Sequence, residues 1–273
     1  MLEKAMENVR KETPLVHNIT NYVTVNDVAN AILACGASPI MSDEPQDVSD
    51  ITSICGGLNI NIGTLNERSI EAMFVAGKRA KELDHIVLLD PVGAGASKLR
   101  TDTATRIMNE IKPDIIRGNI SEIKTLALGS GTTKGVDADI ADSVTEGNLS
   151  DMISFAKAFS KRTNAVIAIT GAIDLVADSD KCYVIRNGVL EMSRITGTGC
   201  QLSGIATAYA VANKDDITNA VAAAVCVMGL AGEIGFANLK ENEGNSTLRN
   251  RIIDAICNMD EESLTKGAKY ELR

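Results

Sequence analysis

Aromatic residues are almost missing from this chain. Its 273 residues include no Trp, four Tyr and four Phe, so aromatics make up 3% of the sequence while apolar residues make up 45%. A core with so few rings must be packed from Ala, Ile, Val and Leu, which is typical of helices layered on a parallel sheet. No repeat or low-complexity linker divides the chain, so we expect residues 1–273 to form a single domain.

Positive charge is also scarce. Lys and Arg number 27 against 36 Asp and Glu, a formal net charge of −9, and no basic run accompanies clustered aromatics. This balance argues against binding to nucleic acid. The N-terminus has no apolar signal core, and no apolar run reaches the length needed to cross a bilayer. We therefore expect a cytoplasmic protein that does not bind a membrane.

Cysteine pairs of the C-x-x-C type are absent. The six cysteines lie at positions 35, 55, 182, 200, 226 and 257. Five of them are predicted to be small, buried and reduced side chains. Cys200 differs from the others because it lies where an apolar helix begins.

Short β-rich runs alternate with helical patterns, which is typical of β-α-β units. The predicted strands cover residues 38–41, 58–62, 85–90, 114–117, 165–170, 174–177 and 181–186. The predicted helices cover residues 23–34, 67–82, 101–111, 121–128 and 150–162, and the chain after Cys200 is helical to about residue 265. Turns at 178–180 and 187–188 predict an antiparallel edge. The expected fold class is α/β, with three α/β/α layers and a mostly parallel central sheet.

Polar residues follow several of the predicted strands. Ligands of an open α/β sheet bind beyond the carboxyl ends of its strands, so these residues predict the location of a ligand site. They are Ser42, Asp43, Gly63, Thr64, Asp90, Arg117, Asn119, Thr170 and Gly171.

Residues 195–204 are the most informative part of the chain, because glycines, hydroxyls and a thiol precede an apolar helix. The N–H groups at a helix start, together with the helix dipole, form a site for anions. Gly197 and Gly199 let a phosphate approach the backbone without meeting a Cβ. A Gly-Thr-Gly sequence also occurs in ordinary tight turns, but three upstream stretches have phosphate or metal character. We interpret this segment as a cradle for a phosphoryl group.

Two of the upstream stretches carry acids. Asp90 ends an apolar strand before a glycine loop, where an Asx-type turn is one explanation and a ligand of hydrated Mg²⁺ is another. Arg117 lies at a strand end and is suited to neutralise nucleotide charge. Asn119 and Glu122, three residues apart, suit a helix-capping pair, a magnesium-ordering pair, or both.

Other candidates are weaker. Residues 129–135 lack the Gly-Lys-Thr/Ser order of a P-loop, so they form either an ordinary surface loop or one that covers nucleotide. Thr170 ends a strand and is a plausible phosphate contact. His17 is interpreted as a structural residue. Met41, at a strand end, is either a core residue or a contact for a soft, sulfur-bearing or aromatic ligand.

Taken together, these stretches resemble the ribokinase-like superfamily, and more narrowly the hydroxyethylthiazole kinase family of thiamine salvage. The likeness extends over residues 14–235. It is carried by residues 14–21, 36–41, 90–95, 117–122, 169–171 and 196–200.

The resemblance implies a function and a set of acceptor-site residues. The reaction is ATP-dependent phosphorylation of the hydroxyethyl group of a thiazole alcohol, with Gly197 and Gly199 in the catalytic turn. The superfamily usually has an Asp base after this turn, and Cys200 takes its place here. We expect Cys200 to be an assisting base at most, with its pKa lowered by the helix start. Met41, Asn21 and Gly197 are the residues expected to contact the thiazole alcohol.

The same resemblance implies the nucleotide and metal sites. Arg117 and Thr170 correspond to ATP-binding positions, and Asp90 and Glu122 to positions that organise Mg²⁺. The family forms homotrimers with sites at subunit interfaces. Two alternatives stay open: another ribokinase-like enzyme that phosphorylates a small alcohol or repairs a hydrated cofactor, and a non-catalytic nucleotide-binding regulator.

Overall fold

The computed structural model describes residues 2–129 and 143–273. Within these ranges the strands are β1 (Leu15–Ile19), β2 (Ser38–Met41), β3 (Gly57–Asn61), β4 (Ile86–Asp90), β5 (Ile115–Asn119), β6 (Val166–Thr170), β7 (Asp174–Ala177), β8 (Cys182–Ile185) and β9 (Tyr270–Leu272). The α-helices are α1 (Leu2–Glu12), α2 (Val25–Ala34), α3 (Val48–Ile54), α4 (Glu67–Glu82), α5 (Lys98–Glu110), α6 (Ile120–Leu128), α7 (Leu149–Thr163), α8 (Thr198–Val211), α9 (Ile217–Ala237), α10 (Asn245–Asn258) and α11 (Glu261–Gly267).

The nine strands form one sheet in the order β2-β1-β3-β4-β5-β6-β7-β8-β9. Pairing is parallel from β2 to β6 and antiparallel among β6, β7, β8 and β9. The predicted mostly parallel sheet with an antiparallel edge is therefore confirmed. Because the parallel strands share one direction, their carboxyl ends lie along one edge of the sheet.

Helices cover both faces of this sheet. Neighbouring side chains on a strand point to opposite faces, and β4 shows this directly. Leu88 belongs to the apolar cluster that includes Ile205 of α8, whereas Leu89 belongs to the cluster that includes Met73 of α4. The structure thus has the three predicted α/β/α layers, with an apolar core on each side of the sheet.

The α9 segment is a core helix. The stretch Lys214–Ala237 is long and apolar enough to cross a membrane by length and composition, contrary to the sequence prediction, but most of it is buried inside the fold. Such a helix is hydrophobic on all sides because it is packed on all sides.

The predicted elements are observed with shifts of a few residues at their ends, and four others were not predicted. β1, the unpredicted neighbour of β2 and β3, contains polar His17 and Asn18, which hid its strand character. His17 is buried. Its Nδ1 lies 2.9 Å from Thr52 Oγ1, and its Nε2 lies 2.9 Å from the Ser42 carbonyl oxygen. Burial lowers the pKa of His17, which agrees with its interpretation as a structural residue. The remaining unpredicted elements are α1, α3 and β9.

Two further expectations are corrected. The Asn187-Gly188 pair is not a hairpin turn, because the strand that pairs with β8 on the side away from β7 is β9, which comes from the end of the chain. Asn187 instead donates to Glu233 and the Gly267 carbonyl group, and it accepts from the Lys269 backbone N–H. All six cysteines are free, as predicted, but Cys257 on α10 is exposed rather than buried.

Candidate active site at the start of helix α8

The carboxyl ends of four neighbouring strands bring the predicted polar residues together. Register pairs Asn61 at the end of β3 with Asp90 at the end of β4, and Asn119 of β5 with Thr170 of β6. The start of α8 lies against these strand ends, as shown by contacts from Cys200 to Asn61 and from Ser203 to Asp90. The site is therefore assembled from the sheet edge and one helix start.

The glycine turn before α8 has no room for side chains. Gly197, the N-cap residue, has φ +87°, and a Cβ there would stand 2.3 Å from Thr24 Cγ2. A Cβ on Gly199 would stand 2.6 Å from the guanidinium of Arg117. The two glycines therefore allow close approach of a strand-end loop on one side and of a cation on the other. The positive end of the α8 dipole and the Arg117 charge both favour an anion here.

Arg117 joins the acid and the hydroxyl of the site. Its Nη1 is 3.4 Å from Asp90 Oδ2, and its Nη2 donates to Thr170 Oγ1 at 2.7 Å. The Arg117 side chain is 11% exposed and the Asp90 side chain is fully buried, so this pair is part of the interior. The predicted nucleotide residues Arg117 and Thr170 thus lie side by side.

Asp90 is held by one of its two carboxylate oxygens. Oδ2 accepts from Asn61 Nδ2 and Ser203 Oγ, each at 2.8 Å, besides Arg117. Oδ1 is buried and has no hydrogen-bond partner among the described residues. Burial raises the pKa of Asp90, the positive charge of Arg117 opposes this rise, and the negative charge of Glu122 adds to it. Within the described ranges, Oδ1 is therefore the Asp90 oxygen that accepts no hydrogen bond.

Glu122 organises backbone around the site. Its Oε1 accepts from Gly93 N at 2.8 Å, and its Oε2 accepts from Asn119 N at 2.9 Å. Asn119 in turn accepts from Glu122 N, which completes the predicted capping box at the start of α6. The acid thus links the glycine loop after β4 to the start of α6.

Cys200 lies in the first turn of α8 and is nearly buried, at 8% exposure. Its Sγ accepts from Asn21 Nδ2 and from Asn61 Nδ2, each at 3.3 Å. The expectation of a lowered pKa is wrong: burial and the negative charge of Asp90 raise the pKa of the Cys200 thiol, despite opposing contributions from Thr24, Asn21 and Arg117. Cys200 is therefore a neutral thiol near neutral pH.

An open cleft of about 690 Å³ adjoins this assembly. Its polar wall includes Arg117, Thr170 and Gly199, and its apolar wall includes Leu202 and Met228. Asp174 also lines the cleft and accepts from Gly171 N at 2.8 Å. Burial raises the pKa of Asp174 to about 7. A cleft with a cation at one wall and apolar side chains at another is suited to a small anionic molecule with an apolar part.

The three predicted acceptor residues, Met41, Asn21 and Gly197, are not among the residues that line that cleft. Met41 ends the edge strand β2, and it packs against the apolar cluster to which Cys200 belongs. Asn21 uses its amide nitrogen on Asn61 and Cys200, and its oxygen on the Thr24 backbone N–H and hydroxyl. Asn21 therefore lies next to Cys200, and its amide group is hydrogen-bonded to protein groups.

Three site residues were not predicted in their observed roles. Ser203 is one of the hydroxyl residues in the segment 195–204 that was interpreted as a phosphoryl cradle, but its hydroxyl donates to Asp90. Asp174 and Asn61 were not singled out at all. Alternating Asn59 and Asn61 in an otherwise apolar strand was the one signal that pointed to Asn61, since buried amides need partners. In the predicted loop 129–135, residues 130–135 lie outside the described residues.

Comparison with known proteins identifies the family. The model of the hydroxyethylthiazole kinase family matches residues 6–262. The chain is 59% identical over 271 residues to a hydroxyethylthiazole kinase of Clostridium acetobutylicum, covering 99% of each chain. The solved hydroxyethylthiazole kinase structure of Pyrococcus horikoshii superposes with a TM-score of 0.88 at 30% identity, covering 100% of this chain and 98% of that one.

A more distant solved structure shares the fold of this chain. A ribokinase-like superfamily protein of Enterococcus faecalis superposes with a TM-score of 0.63 at 12% identity, covering 96% of this chain and 89% of that one. At this identity the similarity concerns the fold. With a family model that matches residues 6–262 and a relative 59% identical over almost the whole chain, the chain belongs to the hydroxyethylthiazole kinase family.

Proposed function

We propose that the protein transfers the γ-phosphoryl group of ATP to the hydroxyl of 4-methyl-5-(2-hydroxyethyl)thiazole, as a single-domain cytoplasmic enzyme of thiamine salvage. In the reaction the alcohol oxygen forms a bond to the γ-phosphorus, the bond to the β–γ bridging oxygen breaks, and the alcohol loses its proton. Family membership supports the substrate. The observation that carries the chemistry is the packing of Arg117 against Gly199, where α8 begins.

The nucleotide occupies the 690 Å³ cleft in this proposal. Arg117 and Thr170 bind its phosphates, because the guanidinium already lies beside the Thr170 hydroxyl and the α8 start. The N–H groups of the glycine turn at Gly197 and Gly199 stabilise the transferred group. Phosphoryl transfer has a loose transition state, so such positioning and neutralisation supply most of the catalysis. A well-placed backbone donor contributes on the order of 3 kcal/mol.

Asp90 and Glu122 are proposed to organise Mg²⁺. The residues fit this ion, since Asp90 Oδ1 lacks a partner within the described residues and Glu122 adds a second negative charge nearby. Among the same residues no group of three or more His, Cys, Asp or Glu is placed to hold a metal. Mg²⁺ suits such a site because it keeps several waters and binds through one or two carboxylates and substrate phosphates. When bound, it neutralises charge on the phosphates.

The acceptor is proposed to bind between Cys200 and Met41. Cys200 lies in the first turn of α8, next to the proposed phosphoryl position, and Asn21 helps to hold its sulfur. A neutral thiol cannot take up the alcohol proton, so Cys200 orients the alcohol, and the proton leaves to water once the new bond to phosphorus has made the alcohol oxygen acidic. Met41 provides a polarizable surface for a sulfur-bearing ring.

A homotrimer with sites at its subunit interfaces is also proposed. Met41 lies on β2, an edge strand, and an exposed edge is commonly covered by another chain. Large apolar side chains are exposed on the flanking elements, with Tyr22 78%, Leu33 56% and Ile54 65% accessible. Exposed apolar surface of this kind marks an interaction site. Met41 and Cys200 of one acceptor site then come from different subunits.

The reaction is tested by ADP release coupled to mass detection of the phosphate ester. With ATP and Mg²⁺, we expect turnover on the thiazole alcohol that EDTA abolishes, and none with the Asp90→Asn variant. A panel with a pyrimidine alcohol and pyridoxal tests acceptor choice. Preferred turnover of another alcohol, or ATP binding with no turnover of any alcohol, would contradict the proposal.

The shared site is tested by sedimentation and complementation. Wild type is expected to sediment as a trimer. Asp90→Asn and Met41→Arg are each expected to be inactive as pure trimers. Mixed trimers, formed by unfolding and refolding the two variants together, should regain activity at sites that receive both native residues. A monomer, or mixed trimers without activity, would contradict a shared site.

A further inference from the structure

Asn61 is a buried amide that uses every hydrogen-bonding position it has. Its Nδ2 donates to Asp90 Oδ2 at 2.8 Å and to Cys200 Sγ at 3.3 Å. Its Oδ1 accepts from Gly63 N at 2.9 Å and from Asn21 Nδ2 at 3.0 Å. A carboxamide has two N–H donors and two lone pairs, so its capacity is filled. The amide has one orientation that satisfies all four partners.

The orientation of the Asn61 amide affects which oxygen position of Asp90 remains available to a ligand. Asp90 uses Oδ2 for Asn61, Ser203 and Arg117, which leaves Oδ1 without a partner among the described residues. Rotation of the Asp90 carboxyl group would break these bonds in the interior, where unpaired polar groups are costly. The Asn61 amide therefore helps to fix the position of the Asp90 oxygen that is left for a ligand.

The same amide acts on the sulfur. Cys200 Sγ accepts one N–H from Asn61 and one from Asn21, and these two amides are themselves hydrogen-bonded to each other. Two N–H groups directed at the sulfur hold the Cys200 side chain in one rotamer and direct its own proton elsewhere. They also favour negative charge on the sulfur. Asn61 is thus the one described residue whose side chain bonds to both Asp90 and Cys200.

We propose that Asn61 is a positioning residue for phosphoryl transfer, which holds the Cys200 thiol and the Asp90 carboxylate in a fixed mutual arrangement. The proposal rests on the function proposed above. Asn61 contacts neither nucleotide nor acceptor in this arrangement, and it acts through the two groups that do.

Asn59 provides a matched control. It lies on the same strand and the same side of the sheet, two residues earlier, and it is also fully buried. Its amide donates to Asn18 Oδ1 at 3.0 Å, far from the acid and the thiol in the hydrogen-bond network. Replacing Asn59 removes a buried amide of β3 without removing a bond to Asp90 or Cys200.

The first measurement is a double-mutant cycle. Asn61→Ala and Asn59→Ala are made in wild type and in Cys200→Ala, after thermal unfolding has verified that each variant is folded. We expect Asn61→Ala to lower kcat by about tenfold or more while KM for each substrate changes less than about threefold. The fold decrease in kcat caused by Asn61→Ala should be at least about threefold smaller in the Cys200→Ala background, because the effects of substitutions at residues that act together are not additive. An equal loss in both backgrounds, or an equal loss in the Asn59→Ala variant, overturns the proposal. If Asn61→Ala does not fold, Asn61→Ser is measured in the same cycle.

The second measurement needs no turnover, so it separates this proposal from the proposed function. The rate of Cys200 alkylation by iodoacetamide is measured against pH in a Cys257→Ser background, because Cys257 is exposed. Asp90 and Arg117 are the charged groups that act on this thiol, and Thr24 and Asn21 are its other polar neighbours. Loss of the Asn61 donor should move the midpoint of the alkylation profile to higher pH, whereas Asn59→Ala should not move it. An unchanged midpoint in Asn61→Ala overturns the proposal even if the enzyme is fully active on the thiazole alcohol.

Discussion

The guanidinium of Arg117 lies against the backbone of Gly199, where a Cβ would come within 2.6 Å of Nη2. A strand-borne cation and the start of α8 therefore form one anion site, although the two residues are far apart in the chain. Their contact depends on the absence of a side chain at position 199.

Gly199→Ala tests this contact. The added methyl group must push Arg117 away from the α8 start, so we expect KM for ATP to rise by about tenfold or more, with a smaller change in KM for the alcohol. Steady-state kinetics measure both constants. Gly244→Ala is the matched control, because a Cβ there meets nothing within 4 Å. Unchanged ATP kinetics in Gly199→Ala would show that the contact has no part in nucleotide binding.

The buried pair of Arg117 and Asp90 predicts a coupled effect on stability. Arg117→Met leaves the Asp90 carboxylate in the interior without its cation, which should lower the free energy of unfolding by about 3 kcal/mol. The double variant Arg117→Met/Asp90→Asn should recover much of this loss, since the unpaired charge is gone. Urea unfolding measures both. Lys98→Met, which breaks an exposed pair with Asp102, should cost less than about 1 kcal/mol. A double variant as unstable as Arg117→Met would refute the charge argument.

Substitution of Cys200 tests the minor role proposed for its thiol. Cys200→Ala should keep measurable turnover, because the glycine-turn amides and Arg117 remain. Cys200→Asp should also be active, and its activity should rise with pH, since a second carboxyl group near buried Asp90 has a raised pKa and ionises late. Single-turnover assays from pH 6 to 9 measure these effects. Complete loss in Cys200→Ala with both affinities retained, or a trapped phosphocysteine, would require a covalent or essential role.

Asp174 predicts a pH-dependent stability. Burial raises its pKa from 3.8 to about 7 in the folded state, so the folded protein holds this proton more tightly than the unfolded chain. Stability is therefore lost as pH rises from about 4 to about 7 and then levels off. Asp174→Asn keeps an oxygen for Gly171 N but cannot ionise. Between pH 5 and pH 8, the free energy of unfolding of the variant should rise relative to that of wild type by on the order of 2 kcal/mol. The effect stays at this size because solvent in the cleft reduces the penalty for the charged carboxylate.

Urea unfolding at the two pH values checks this prediction. Asp254→Asn, at an exposed position on α10, is the control and should show no such change. A wild-type and Asp174→Asn difference that is the same at both pH values would mean that Asp174 ionises normally.

The sequence was sufficient for elements with strong local patterns. Strands 38–41 and 174–177 and helix 67–82 were predicted to the residue, because apolar periodicity and capping are local properties. β1 was missed because its His17 and Asn18 look like loop residues until their partners on neighbouring segments are known. The short strand β9 joins the sheet through β8, which lies far away in sequence.

For the site, too, some features could be predicted from the sequence and others depended on distant parts of the chain. Asp90, Arg117 and Thr170 were predicted to lie near one another, since residues that follow parallel strands share one edge of the sheet. The pKa of Cys200 was predicted with the wrong sign, because the helix start was visible in the sequence while its burial and the approach of Asp90 were not.

Local sequence patterns thus determined by themselves the fold class and the residue types available for phosphoryl transfer, and the motifs carried a resemblance to the family that the family match confirms. Tertiary structure alone decided which amide meets which acid and thiol. Asn61 and Cys200 are 139 positions apart, and their hydrogen bond exists because β3 and α8 pack together. Hydrogen bonding and desolvation act over a few ångströms in space, so their effects follow from the packed chain and cannot be deduced from spacing along it.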